Sequence, residues 1–261
     1  MLNQAIGFGL EGIYIKSFLL PNPFTDDIKK LNNMLDQHHI ELIWAWGHPS
    51  GFKNGQNILV MQGFKKHALI AKPLGAKVIR ICDGGHKTRP NTSEKIYKRA
   101  LIPLLAQVTD FAIQHDPIIA LENHSDLHAD EIVDVVETID SNHFGICLDT
   151  ANNLRMLEDP WEAAIQKMAP YAKATHTQAF QVNPTTFSFW PSVVYGQGSI
   201  PLDKTFQLLH QLNYHDLLAI EIDYLHPRHP SEQDAIRQSL DYLKQLKQST
   251  LDLSLHKQGA A

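Results

Sequence analysis

Apolar residues fall along this chain in short runs of five to seven, separated by longer stretches with helical spacing. The runs at 12–16, 40–46, 76–82, 118–123, 144–149, 172–178 and 217–222 read as strands. The stretches at 2–8, 25–38, 57–74, 93–115, 129–139, 160–168, 201–212 and 231–247 read as helices, with a tail to residue 261 that should fray. Thr25 caps its helix ahead of Asp26 and Asp27, Gly75 stops another, and Pro103 should kink or divide the helix at 93–115. Strict strand–helix alternation demands a parallel sheet, closed as a barrel or left open and doubly wound.

Four of the runs carry at or near their carboxyl ends a polar residue able to bind a metal: Glu122, Asp149, His176 and Glu221. The first three are evenly spaced 27 residues apart, one strand-plus-helix unit. Two positions earlier stand Ala120, Cys147, Ala174 and Ala219, all small and all on the same strand face as the polar ends. The alternate positions, Ile119, Leu121, Ile146, Leu148 and Ile220, are large, as strands facing an outer helical layer require. An open sheet would spread four consecutive strand ends along a line, whereas a barrel makes them converge. The expected fold is therefore α/β, a TIM-barrel-like (β/α)8 in which the first strand is missing at the amino end, forming a single domain over 1–261. A strand before Gly12 would refute that account.

Three carboxylates meeting in a barrel mouth repel one another unless a cation shares their charge, and His176 adds a neutral nitrogen donor. One divalent metal ion held by Glu122, Asp149, His176 and Glu221 is the economical reading. Other polar or aromatic residues stand near strand ends on the same face: Trp46, read first as core or pocket wall although in phase to cover an apolar ligand face, and His48, His86, Asn152 and Gln178. These five are the candidate substrate contacts, although loop histidines such as His48, His86 and His124 have an ordinary solvent-facing reading too. The long connection at 179–200 carries Phe180, Phe187, Phe189, Trp190 and Tyr195, suited to a lid or a homo-oligomer contact.

Composition narrows the partners. With 43% hydrophobic and 20% charged residues over 261 positions, the chain has ample core for one barrel. A net charge of −5 with interspersed signs disfavours a duplex nucleic-acid partner. The start lacks the basic and apolar regions of a leader, and no run approaches a membrane span, so a cytoplasmic protein is expected. Its two cysteines, Cys82 and Cys147, both fall inside strands and should be reduced core thiols.

The stretches Leu121-Glu122-Asn123-His124, Gly145 to Asn152, Asp159-Pro160-Trp161 through Ala169-Pro170-Tyr171 to His176, and Ala219-Ile220-Glu221 resemble the xylose isomerase-like barrels, the sugar phosphate isomerases and epimerases. That resemblance implies a divalent ion on the matching Glu122, Asp149, His176 and Glu221, manganese first and magnesium, cobalt or zinc as alternatives. It implies an isomerase or epimerase acting on a keto sugar or sugar acid by proton transfer through an enediolate, with Glu122 and Glu221 as the catalytic acid–base pair. A metal-dependent dehydratase or decarboxylase on the same enediolate is the nearest alternative, a non-catalytic sugar-binding barrel the next, and an endonuclease IV-like nuclease the last. The chain departs from the family pattern at Asn152, where epimerases often have His, at Thr177-Gln178, where many have Lys-Asp, and at Gly196-Gln197-Gly198, where Gly-Glu-Gly is common.

Overall fold

A computed structural model describes residues 2–20, 25–47, 51–52, 58–85, 93–156, 160–182 and 190–258. Helix α1 (Leu2–Phe8) comes first, followed by β1 (Gly12–Lys16), α2 (Thr25–Gln37), β2 (Glu41–Ala45), α3 (Ile58–Ala71), β3 (Val78–Ile81), α4 (Glu94–His115), β4 (Ile118–Glu122) and α5 (Ala129–Ile139). Then follow β5 (Phe144–Asp149), the one-turn α6 (Asn152–Arg155), α7 (Trp161–Met168), β6 (Ala172–His176), α8 (Leu202–Gln211) and α9 (Glu232–Gln258). Among the described residues no strand precedes β1.

The strands form one sheet in the order β1-β2-β3-β4-β5-β6, with parallel register from β1 through β5. Register places Tyr14, Ile43, Val78 and Ile118 in one row, and Ala45, Arg80, Ala120 and Gly145 in the next. Side chains of Ile43, Val78, Ala120, Cys147 and Ala174 meet in one buried cluster, lined also by Tyr14, Ile118 and Leu217. Five strands can share a cluster only if the sheet curls around it. The Tyr14 hydroxyl on the first strand donates to the carbonyl of Thr175 on the sixth at 3.0 Å, which fixes the same curvature. The small inward layer expected from Ala120, Cys147 and Ala174 is the interior of this half-barrel.

Three expectations are corrected. The run at 217–222 is no strand: its ladder is reduced to one parallel bridge, Thr177 with Ile220. The reason lies in Thr175, whose Oγ1 donates to the Leu217 carbonyl at 2.8 Å and accepts from the Ala219 N–H at 3.3 Å, so a side chain takes contacts that a strand would make through backbone. Pro103 lies inside α4 without dividing it. Helix α9 continues to Gln258, past the expected end at 247, because no Gly or Pro interrupts that stretch before Gly259.

The chain gathers into two compact units. The first comprises residues 1–175 with 216–219, and the second 176–215 with 220–261. In the second, Val193 N–H donates to Ala179 O, Ser199 N–H to Phe180 O, and Tyr195 N–H to the Ser239 hydroxyl on α9. Phe180 and Tyr195 are buried, so these parts of the long connection are packed down; Phe187 and Phe189 lie outside the described residues.

Candidate active site

In the first unit, β4 and β5 deliver Glu122 and Asp149 at their carboxyl ends, 1% and 0% exposed. Asn123 locks the two ends together: its Nδ2 donates to the Asp149 carbonyl at 3.0 Å, and its Oδ1 accepts from the Asp149 N–H at 2.7 Å. The Asp149 carboxylate then caps the next turn, with Oδ1 accepting from the N–H groups of Ala151 at 2.7 Å and Asn152 at 3.0 Å. One carboxylate oxygen is thereby oriented by backbone, which fixes the rotamer of the other.

Glu122 has a partner that periodicity alone does not disclose. Arg80, in register with Ala120 on the neighbouring strand, directs both Nε and Nη2 to Oε2 of Glu122, while Nη1 approaches Cys82 Sγ at 3.8 Å. The guanidinium is buried inside the half-barrel, so this ion pair is screened little by water. Beside it stand two further buried acids. Asp83 accepts from the Tyr97 hydroxyl at 2.5 Å, and Asp126 is fully buried. Burial, then the charge of Asp83, push the Asp126 carboxyl up to about 7, with His124 opposing the shift. His124 donates from Nδ1 to the Gly84 carbonyl at 2.5 Å, which sets its tautomer. Burial likewise pushes the Cys82 thiol up to about 11, the nearby Arg80 charge opposing, so it stays a protonated filler.

In the second unit, His176 ends β6 and is 4% exposed. Glu221 is set by its backbone N–H, which donates to the Thr177 carbonyl at 2.9 Å. Its Oε2 accepts from Gln178 Nε2 at 2.7 Å and lies 3.2 Å from His176 Nδ1. Residue alternation after β6 therefore yields one imidazole and one amide converging on a single carboxylate.

Glu122 and Asp149 of the first unit offer carboxylates, and His176 and Glu221 of the second an imidazole and a carboxylate, all of them groups able to hold a metal ion. Carboxylates with one imidazole are a donor chemistry suited to a divalent cation, whereas Cys147 sits in the apolar layer between Ala120 and Ala174.

A family model for the xylose isomerase-like TIM barrel matches residues 4–246. The chain belongs to that family. Solved structures similar to this xylose isomerase-like barrel include a xylose isomerase domain protein from Planctomyces limnophilus, at 17% identity and TM-score 0.81 over 97% of this chain and 93% of that one. The IolI protein with a bound zinc atom aligns at 19% identity and TM-score 0.78, over 94% and 91%. D-psicose 3-epimerase from Clostridium cellulolyticum H10, with D-tagatose, aligns at 18% identity and TM-score 0.76, over 94% and 92%. At these identities the likeness shows the fold. No curated protein sequence matches the chain. No helix among the described residues is long and apolar enough to cross a membrane.

The sequence-predicted contacts of this xylose isomerase-like barrel are distributed unevenly. Gln178 does face a site residue, as a donor to Glu221. Asn152 is buried, its Oδ1 accepting from Ser125 at 3.0 Å and Arg155 at 3.2 Å, and its Nδ2 meets no acceptor among the described residues. Trp46 is packed in the core. Its ring packs against Phe52 at 4.9 Å and edge-on to Phe64 of α3 at 5.7 Å, because Ile43 and Ala45 hold the inward phase of β2 and turn Trp44 and Trp46 toward the helices. His48 and His86 lie outside the described residues. Arg80, Asp83 and Asp126 are the residues that sequence reasoning missed. The available signal was a lone cation inside the otherwise apolar run of β3.

Proposed function

We propose that this protein is a divalent-metal-dependent isomerase or epimerase of a keto sugar or sugar acid, with Glu122, Asp149, His176 and Glu221 holding the ion. The observation that carries this reading is the donor set itself: carboxylates and one imidazole at the ends of consecutive strands β4, β5 and β6 and on the segment bridged to Thr177. The family, and relatives whose names include a sugar epimerase and a zinc-bound protein, support it.

When bound, a divalent ion draws electron density from the oxygens of a hydroxy-ketone and makes the adjacent C–H acidic. The chain's own residues do the rest. Glu221, oriented by Gln178 and His176, removes the proton from that carbon. Glu122, oriented by Arg80 and entering the step as the acid, gives its own proton to the other face or the neighbouring carbon of the substrate enediolate, which leaves Glu221 protonated and Glu122 ionised until exchange with solvent resets the pair. Positioned proton transfer of this kind contributes typically ~10² to 10⁴ in rate. The Asn152 amide supplies a donor for a substrate hydroxyl.

Elemental analysis of the purified protein beside Asp149→Ala is the first test. Near one manganese, zinc, cobalt or magnesium per chain, lost in the variant, is the expected result. No metal in either protein after reconstitution would overturn the reading in favour of a binding barrel without turnover. With metal established, incubation with ketoses in deuterium oxide should label substrate, and Glu221→Gln should keep its metal while losing that exchange.

A further inference from the structure

We propose that Arg80 sets which divalent ion this chain accepts, by holding one oxygen of Glu122 so that the carboxylate meets the ion through its other oxygen only. This deepens the functional reading above and rests on it for Glu122 being a ligand; the placement of the arginine does not depend on that reading.

Register explains why a cation can stand there. Arg80 lies between Ala45 of β2 and Ala120 of β4, and Gly145 of β5 completes the row. Ala120 belongs to the interior cluster, and Cys147, two residues after Gly145, belongs to it too, so this row faces inward. Three of its four members carry a methyl group or nothing. A long side chain on the fourth therefore has room to lie across the half-barrel, and Arg80 does so with its side chain 9% exposed.

The way the guanidinium meets Glu122 then matters. In the usual fork, an arginine gives one nitrogen to each oxygen of a carboxylate. Here Nε and Nη2 both donate to the same oxygen, Oε2, while Nη1 approaches Cys82 Sγ at 3.8 Å. A carboxylate oxygen has two lone pairs, and both of those on Oε2 are engaged. Turning the carboxylate over exchanges its oxygens and leaves the same count. With the Glu122 side chain 1% exposed and the pair buried, water does not compete for these bonds.

Denticity is what separates divalent ions of equal charge. Calcium gathers about six to eight oxygens and does so in part through bidentate carboxylates, whereas magnesium, manganese and zinc complete smaller shells with one atom from each ligand. A glutamate confined to one oxygen suits the second class and leaves calcium short of a donor. Arg80 is thus a positioning residue: it acts on the ion through Glu122. Its charge opposes manganese and calcium alike, so that contribution cancels in the ratio of the two affinities and the effect of denticity remains.

Calorimetric titration of the metal-stripped full chain with manganese and with calcium gives that ratio. Outer-shell partners of metal ligands are typically worth about 10–100-fold in affinity. In Arg80→Met the calcium Kd divided by the manganese Kd should accordingly fall about tenfold or more, and where the wild type takes up no calcium the variant should gain calcium binding. Arg80→Lys, which keeps the charge but offers a single nitrogen, should move the ratio part of the way. A ratio in Arg80→Met within twofold of wild type would overturn the role of Arg80 and leave the metal reading standing. A wild type that binds neither ion would overturn both. A crystal structure of the manganese-loaded wild type keeps the test open if Arg80→Met does not fold: one Glu122 oxygen should sit on the ion and the other on Arg80, and both oxygens on the ion, or an arginine displaced from Glu122, would refute the assignment.

Discussion

Arg80→Met is the substitution whose consequence the structure determines most closely. The side chains of Arg80 and Glu122 are 9% and 1% exposed, and both guanidinium contacts end on one carboxylate oxygen. Replacing the arginine with an apolar chain of comparable length keeps most of the packing and leaves a buried carboxylate without its counter-charge. Removing one partner of a buried pair costs about 3–5 kcal/mol. At roughly 2–4 °C per kcal/mol for chains near this size, the metal-free variant should melt about 6–20 °C below the wild type. A divalent ion replaces the missing positive charge, so saturating metal should stabilise Arg80→Met more than the wild type, beyond the ~2.7 kcal/mol that ligand at a hundred times its Kd confers on either. Urea denaturation of chelated and reconstituted protein reads both quantities. The double variant Arg80→Met, Glu122→Met supplies the cycle: with both charges gone, it should lose less than the sum of the single losses by about 2 kcal/mol or more. A metal-free loss under about 1 kcal/mol, or additive single losses, would refute the claim that this pair is buried and mutually dependent.

Asp126 gives a pH prediction with a definite sign. Its folded-state value of about 7 lies above the ordinary 3.8, so between about pH 4 and 7 the folded chain keeps a proton that the unfolded chain releases, and stability falls as pH rises through that window. Asp126→Asn should flatten this slope and be the more stable protein at pH 8, by at most ~4 kcal/mol; an unchanged slope in urea titrations at pH 5 and 8 would count against it. Gly145→Ala would bring a Cβ to 2.6 Å from the Tyr171 carbonyl and 2.5 Å from Lys173 Cγ, and because one of these is backbone the expected cost is ~1–3 kcal/mol in thermal melts. Gly63→Ala, with open space around it on α3, should instead gain about 0.5–1 kcal/mol.

How much of this was legible beforehand follows from the range of each interaction. Strand and helix positions came through because period-two and helical spacing are local properties of the backbone, and Glu122, Asp149 and His176 do end β4, β5 and β6. The inward layer of Ala120, Cys147 and Ala174 followed from the same alternation. Trp46 had two readings, core or ligand face, because phase says which positions alternate but does not say which face a helix covers, and its ring lies edge-on to Phe64 of α3. The run at 217–222 has strand composition, yet Thr175, 42 residues before Leu217, occupies its hydrogen-bonding groups.

The sequence by itself determined the alternation of elements, the family motifs and the residues at the strand ends. Only the tertiary structure decided which charges meet: Arg80 with Glu122 across 42 positions, and Gln178 with Glu221 across 43. Backbone periodicity repeats every two to four residues and can be read locally. Pairing between distant side chains depends on strand register and loop closure, which exist only once the sheet has curled.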